Sequence, residues 1–175
     1  MIKIRRESDE VLYPEEDVVL VQPADLQELK RLAALNPRQR VRLCAHHAPS
    51  DSLHEMFIVH MRGCYVRPHK HIGKVESMAV LEGEVDIVLF GESGEVKMAH
   101  RMAAPGSGSI FFQRLAEPQY HTLIIRSDFL VFHEITEGPF RREDTVFPSW
   151  APVAEGWESS KFIKDVELQI KELGL

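Results

Sequence analysis

The chain has 175 residues, 44% apolar and 27% charged, with a net charge of −6, which suits one domain with a full core. The acidic balance excludes general nucleic-acid binding, and no apolar run approaches the roughly 20 residues of a membrane span. The N-terminus MIKIRRESDE holds no signal-peptide stretch and Cys44 and Cys64 make no disulfide framework, so a cytoplasmic protein is expected, with no nucleic-acid or membrane partner.

In chain order, residues 1–21 read as two short extended pieces, 2–5 and 18–21, around the acidic turn Tyr13-Pro14-Glu15-Glu16-Asp17. Such an arm could exchange between two copies or pack on its own barrel. Pro23 opens a helix with an apolar stripe of Leu26, Leu29, Leu32, Ala33 and Leu35, ended by Asn36-Pro37. From Arg38 the period becomes two. Arg38, Arg40, Arg42, Cys44 and His46 share one strand face, and Val41, Leu43 and Ala45 the other. A row of arginines is most simply a solvated face; the sharper alternative has Arg40 or Arg42 reach into a barrel mouth and pair with an anion. Residues 46–51 form a turn and 53–61 the next strand.

Residues 63–83 carry the string G-x5-H-x-H-x4-E-x6-G, from Gly63 through His69, His71 and Glu76 to Gly83. Two residues apart on a strand, His69 and His71 leave the same face. Glu76 follows a turn containing Gly73, and on the partner strand of a hairpin its carboxylate returns beside the rings. Two imidazoles and a carboxylate are ligands for a divalent first-row metal. H-x-H alone is weak in a chain with nine histidines; the fixed glycines and the Glu make the string specific. It resembles the first conserved motif of the cupin superfamily, without a gap. The superfamily's second motif, read as G-x5-P-x-G-x2-H-x3-N, is matched imperfectly after Gly108. Pro118 precedes His121 by three residues rather than five, the inner glycine is missing, and Ile125 stands in place of the Asn. His121 is the candidate fourth ligand, with His133 as its substitute.

Residues 75–90 form a long β-rich stretch bent at Glu82-Gly83, and an inward Glu76 sends Met78 and Val80 inward too. Further strands are expected at 96–102, 109–112, 120–125 and 128–135, separated by turns at 91–94 and 104–108. An inward His121 takes Leu123 and Ile125 with it. Gly138-Pro139-Phe140 closes the barrel, 141–152 is irregular, and Ser159 or Ser160 caps a helix over 162–173 with Phe162, Val166, Ile170 and Leu173 on one face. The motif does not repeat. The expected fold is all-β, a single-domain double-stranded β-helix (cupin or jelly-roll barrel) with an N-terminal and a C-terminal helix. Arm and helix occupy 1–37, the barrel with its metal site 38–140, and the extension and helix 141–175.

The chain also resembles the WbuC family of cupin-fold metalloproteins over roughly residues 12–165. The likeness rests on Arg40-Val-Arg42-Leu-Cys44-Ala-His46, His54-Glu-Met-Phe-Ile58, Tyr65 to Glu76-Ser77, Tyr120-His121-Thr-Leu, Phe132-His133-Glu134, Gly138-Pro139-Phe140 and Trp150-Ala-Pro152. It implies His69, His71, Glu76 and His121 as metal ligands and a place in bacterial surface-polysaccharide (O-antigen) biosynthesis. The ligand set accepts Mn, Fe, Ni, Co or Zn. One functional reading is a sugar isomerase or epimerase acting on a nucleotide-linked or phosphorylated sugar. The others are an iron-dependent dioxygenase, a metal-free ketoisomerase using the His69/His71 pair, and a non-catalytic small-molecule-binding barrel. Candidate proton-moving residues are His46, His60, Glu82 and His133; candidate substrate contacts are Arg42, Arg67, Lys74, Tyr65 and Met78, with His54 as a further polar group. A homodimer is expected by analogy with other cupins.

Overall fold

A computed structural model describes residues 2–174. The larger of its sheets begins with a hairpin of β1 (Ile4–Arg6) and β2 (Val11–Pro14). β2 runs parallel to β3 (Arg40–Cys44), which pairs with β4 (Leu53–Met61). β5 (Lys70–His71) stands outside this sheet, which continues from β4 through β11 (Phe129–Glu137) and β6 (Glu76–Glu82) to β9 (Phe112–Leu115). A second sheet has the order β10 (Tyr120–Ile125), β7 (Glu84–Phe90), β8 (Val96–Ala103). β5 pairs with β12 (Thr145–Val146) of the C-terminal segment.

The two sheets enclose one apolar core. Met56, Ile58, Met78, Val80, Leu130 and Phe132 from the first meet Val85, Ile87, Leu123 and Ile125 from the second. Each sheet also buries its outer face under a helix. α1 (Pro23–Leu35) lays Leu29 and Ala33 on Val41, Leu43, Val59 and Val131, and α2 (Trp157–Leu173) lays Val166 and Ile170 on Val88, Phe90, Val96 and Ile124. Asp25 closes the N-terminus of α1 by accepting from the Gln22 N–H (2.8 Å) and, across the arm, from the Ile2 N–H (2.9 Å). This is a double-stranded β-helix barrel flanked by two helices.

Several local expectations change. The strand expected at 18–21 lies instead at Val11–Pro14, because Leu12 and Tyr13 are buried whereas Val18 and Leu20 are each 70% exposed. The arm packs on its own barrel. The strand expected at 109–112 starts at Phe112; Ile110 only bridges Met102. The arginine face of β3 is the barrel-facing one, since Cys44 belongs to the internal core while Val41 and Leu43 lie under α1. No hairpin joins β5 to β6. Both edges of β6 are taken, by β11 and β9, so β5 finds β12 instead.

The chain changes sheets at Gly83, between β6 and β7. Its φ is +87° and a Cβ there would lie 2.2 Å from the Phe129 carbonyl oxygen. Gly83→Val is expected to cost about 2–4 kcal/mol, read as a lower urea midpoint with an unchanged slope.

Candidate metal centre

His69, His71 and His121 each direct one ring nitrogen to a common point, the three atoms lying within 4.8 Å of one another. Glu76 completes the group, with Oε2 3.0 Å from His71 Nε2 and Oε1 3.4 Å from His121 Nε2. The four residues arrive on three pieces of chain, with His69 and His71 on one of them. His121 is the second residue of β10 and exchanges backbone hydrogen bonds with His69 in both directions (2.9 and 3.1 Å). Glu76 starts β6 and faces inward. His71 is held by the pairing of β5 with β12, opposite Thr145.

Atoms behind the rings decide what each nitrogen can do. The Nδ1–H of His69 donates to the Arg67 carbonyl (2.8 Å), and that of His121 to the Gln119 carbonyl (2.9 Å). A carbonyl only accepts, so Nδ1 carries the hydrogen in both rings and Nε2 is the atom turned to the common point. His71 differs: its Nδ1 lies 3.2 Å from Thr145 Oγ1, a hydroxyl that can donate or accept. Burial and the adjacent His121 and His71 push the His69 pKa down to about 3, so the ring is neutral without losing a proton to a metal. Burial would raise the Glu76 carboxyl, but the His71 hydrogen bond and the surrounding imidazoles outweigh it and hold the group well below the usual range.

The donor set therefore fits a divalent metal. Glu76 and His121 are 9% and 3% exposed, and the His121 Nε2 faces a carboxylate oxygen at 3.4 Å. The three imidazoles and Glu76 would together hold a divalent first-row cation.

The other candidates separate clearly. His133 lies on the outer face of β11, stacked on Phe57 at 4.8 Å, and is no substitute for His121. Glu82 is turned outward by an irregularity that sets it opposite Val131, and it pairs with Lys30 of α1. His60 is buried at the far end of β4. His46 stays inside, its ring stacked on His54 at 4.0 Å. Of the expected substrate contacts, Met78 lines the interior and Arg42 lines a cavity at the β3 side. The remaining three hold the C-terminal segment. Tyr65 donates its hydroxyl to the Pro152 carbonyl (2.9 Å), Lys74 donates to the Pro139 carbonyl (2.6 Å) and pairs with Asp144 (3.2 Å), and Arg67 lies over Phe147 at 4.7 Å.

Two further residues emerge only from the structure. Thr145 supplies the hydroxyl behind His71. Glu134 sits on β11 opposite Met56 and Met78, two residues from Thr136, the partner of Glu76. Burial and the nearby Glu76 carboxylate push the Glu134 carboxyl well above the usual range, and Arg42 pulls it partly back. The polar pair His133-Glu134 was visible in the sequence, but which of the two points inward depends on register.

A family model described as a domain of unknown function (DUF6016) matches residues 21–102, which hold His69, His71 and Glu76 but end before His121. No curated protein matches the sequence. Among solved structures, a protein from Shewanella oneidensis superposes with a TM-score of 0.50 at 10% identity, covering 61% of this chain and 72% of that one. Oxalate decarboxylase from Bacillus subtilis, an enzyme with Mn(II) centres, gives a TM-score of 0.44 at 16% identity over 55% of this chain, which spans only 24% of that enzyme's length. A sugar phosphate isomerase of the cupin superfamily from Silicibacter pomeroyi gives 0.40 at 17% identity, covering 50% of this chain and 52% of that one.

Thr145→Val should weaken first-row metal binding about tenfold or more while leaving the melting temperature of the metal-free protein nearly unchanged; chelator competition measures it. The raised Glu134 carboxyl contributes stability below its unfolded value, and this is lost as pH rises through the folded one. In chelator-treated protein, Glu134→Gln should therefore gain stability over wild type from about pH 5 to about pH 9, with no gain in more acid solution; thermal melts across that range test the sign.

Proposed function

We propose that this chain is a metal-dependent cupin enzyme that rearranges a sugar, in the manner of an isomerase or epimerase. The observation carrying this reading is the convergence of three imidazoles and Glu76 beside a second carboxylate, Glu134, whose proton affinity is shifted the opposite way. Two acidic groups driven apart by their surroundings divide the roles of charged ligand and proton carrier. The resemblance to the WbuC family supports a nucleotide-linked or phosphorylated sugar as substrate and a place in bacterial surface-polysaccharide biosynthesis; analogy with other cupins supports a homodimer.

His69, His71, Glu76 and His121 would hold the metal, and when bound it supplies Lewis acidity toward a substrate oxygen. The chain's own residues provide the rest. Glu134 keeps a proton at neutral pH and can deliver it to, or on deprotonation withdraw it from, a carbon or oxygen held above the ligands. Met56 and Met78 flank Glu134 and thin the water around it. His46 and His54, neutral because burial lowers both, stack their rings at 4.0 Å, with His46 Nδ1 against the Glu55 backbone.

Elemental analysis of protein purified without added metal tests the centre. Near-stoichiometric first-row metal is expected in wild type, with a sharp fall in Glu76→Gln, His69→Ala and His121→Ala. Full retention in all three would place the metal elsewhere. Solvent deuterium incorporation into a panel of nucleotide sugars tests the chemistry: Glu134→Gln should keep its metal and lose about 100-fold or more in exchange rate. Unchanged exchange would remove Glu134 from the reaction, and oxygen uptake in place of exchange would turn the assignment to a dioxygenase.

A further inference from the structure

The end of the barrel away from the metal ligands carries a second group of polar residues. Along β4, His54 lies in the row of Thr136 and Glu76, and His60 lies six residues further on, about 20 Å at the rise of a strand. Beside His60 opens a cavity of about 320 Å³ lined by Glu10, Arg38, Arg40, Arg42 and Ile58. Glu10 engages Arg38 (3.1 Å) and Arg40 (2.8 Å), and Arg38 also approaches Glu155 at 3.6 Å.

Two groups are left over. The Arg42 guanidinium makes no ion pair or hydrogen bond among the described residues, although it lines the same cavity. His60 is 9% exposed, its ring edge-on to Phe132, and its Nδ1 has no hydrogen-bond partner. A buried ring nitrogen without a partner costs free energy unless a ligand or water meets it. Three guanidiniums here face two carboxylates, so the cavity holds an excess of positive charge, while the His60 Nδ1 behind its wall has almost no accessible surface. Its volume lies at the small end of metabolite pockets.

We infer that this cavity binds a phosphate group, free or carried as a small monoester, with Arg42 supplying the uncommitted guanidinium beside Arg38 and Arg40. Guanidinium geometry suits two parallel bonds to phosphate oxygens. Glu10 competes with the ligand for Arg38 and Arg40, and holds them in place when the cavity is empty. This site is independent of the metal reading, since none of its lining residues is a candidate ligand.

Isothermal titration at low ionic strength, with inorganic phosphate and separately with glycerol 3-phosphate, tests the assignment. Saturable binding is expected, weakened about tenfold or more in Arg42→Gln, tightened in Glu10→Gln, and unchanged in Glu76→Gln. Tighter binding of the monoester would identify an organic phosphate as the ligand, and equal binding would identify phosphate itself. The inference is overturned if wild type shows no saturable binding, or if Glu76→Gln abolishes it while Arg42→Gln does not, since the anion would then sit on the metal.

Discussion

A carboxylate withdrawn from water inside a β-barrel must be given positive charge or hydrogen-bond donors, and Glu76 sets that demand here. It is nine-tenths buried, and the groups around it are imidazoles, two of them with the Nδ1 hydrogen held by a carbonyl. The His71 hydrogen bond meets part of the demand. A cation held among the three imidazoles would meet the remainder. Much of the surrounding architecture serves this point: the His69–His121 backbone exchange, the short pairing of β5 with β12, and the anchoring of residues 139–152 by Tyr65, Lys74 and Arg67.

The C-terminal segment is therefore part of the centre. Without β12, His71 would lose its strand partner and the hydroxyl behind its ring, and β5 would have no edge to join. The helices serve a different end. Each covers the outer face of one sheet with aliphatic side chains, which explains why β10 beneath α2 is buried on both faces. Arg126 adds a polar link, bridging Asp86 on the second sheet and Glu167 on α2.

The legible part of the site was the part written in short range. His69, His71 and Glu76 lie within eight residues, and their spacing identified them although the hairpin imagined for them does not exist. His121 followed from its place after a motif-like turn. The strands from 53 to 61 and from 76 to 90 and both helices could be read from periodicity, because each buries a continuous stripe. What stayed hidden was phase and distance. In Phe132-His133-Glu134 the polar residue that points inward is chosen by pairing with β4 and β6, not by local pattern. Glu82 has the alternation of an inward residue, and an irregularity opposite it reverses that. Arg67, Lys74 and Tyr65 look like site residues because they flank the motif, yet their partners lie between residues 139 and 152, 65 or more positions away in the chain.

Arg42 links the two ends of the barrel through charge. Among the described residues it lowers the proton affinity of Glu134, against burial and Glu76, which raise it. An anion settling on Arg42 would cancel that pull and leave Glu134 more firmly protonated; a cation among the four ligands would offset Glu76 and act in the opposite sense. Both effects decay with distance and weaken with salt, so they tune a proton and do not switch a fold. A metal ion and an anion, held as proposed, would thus act in opposite senses on one carboxylic acid.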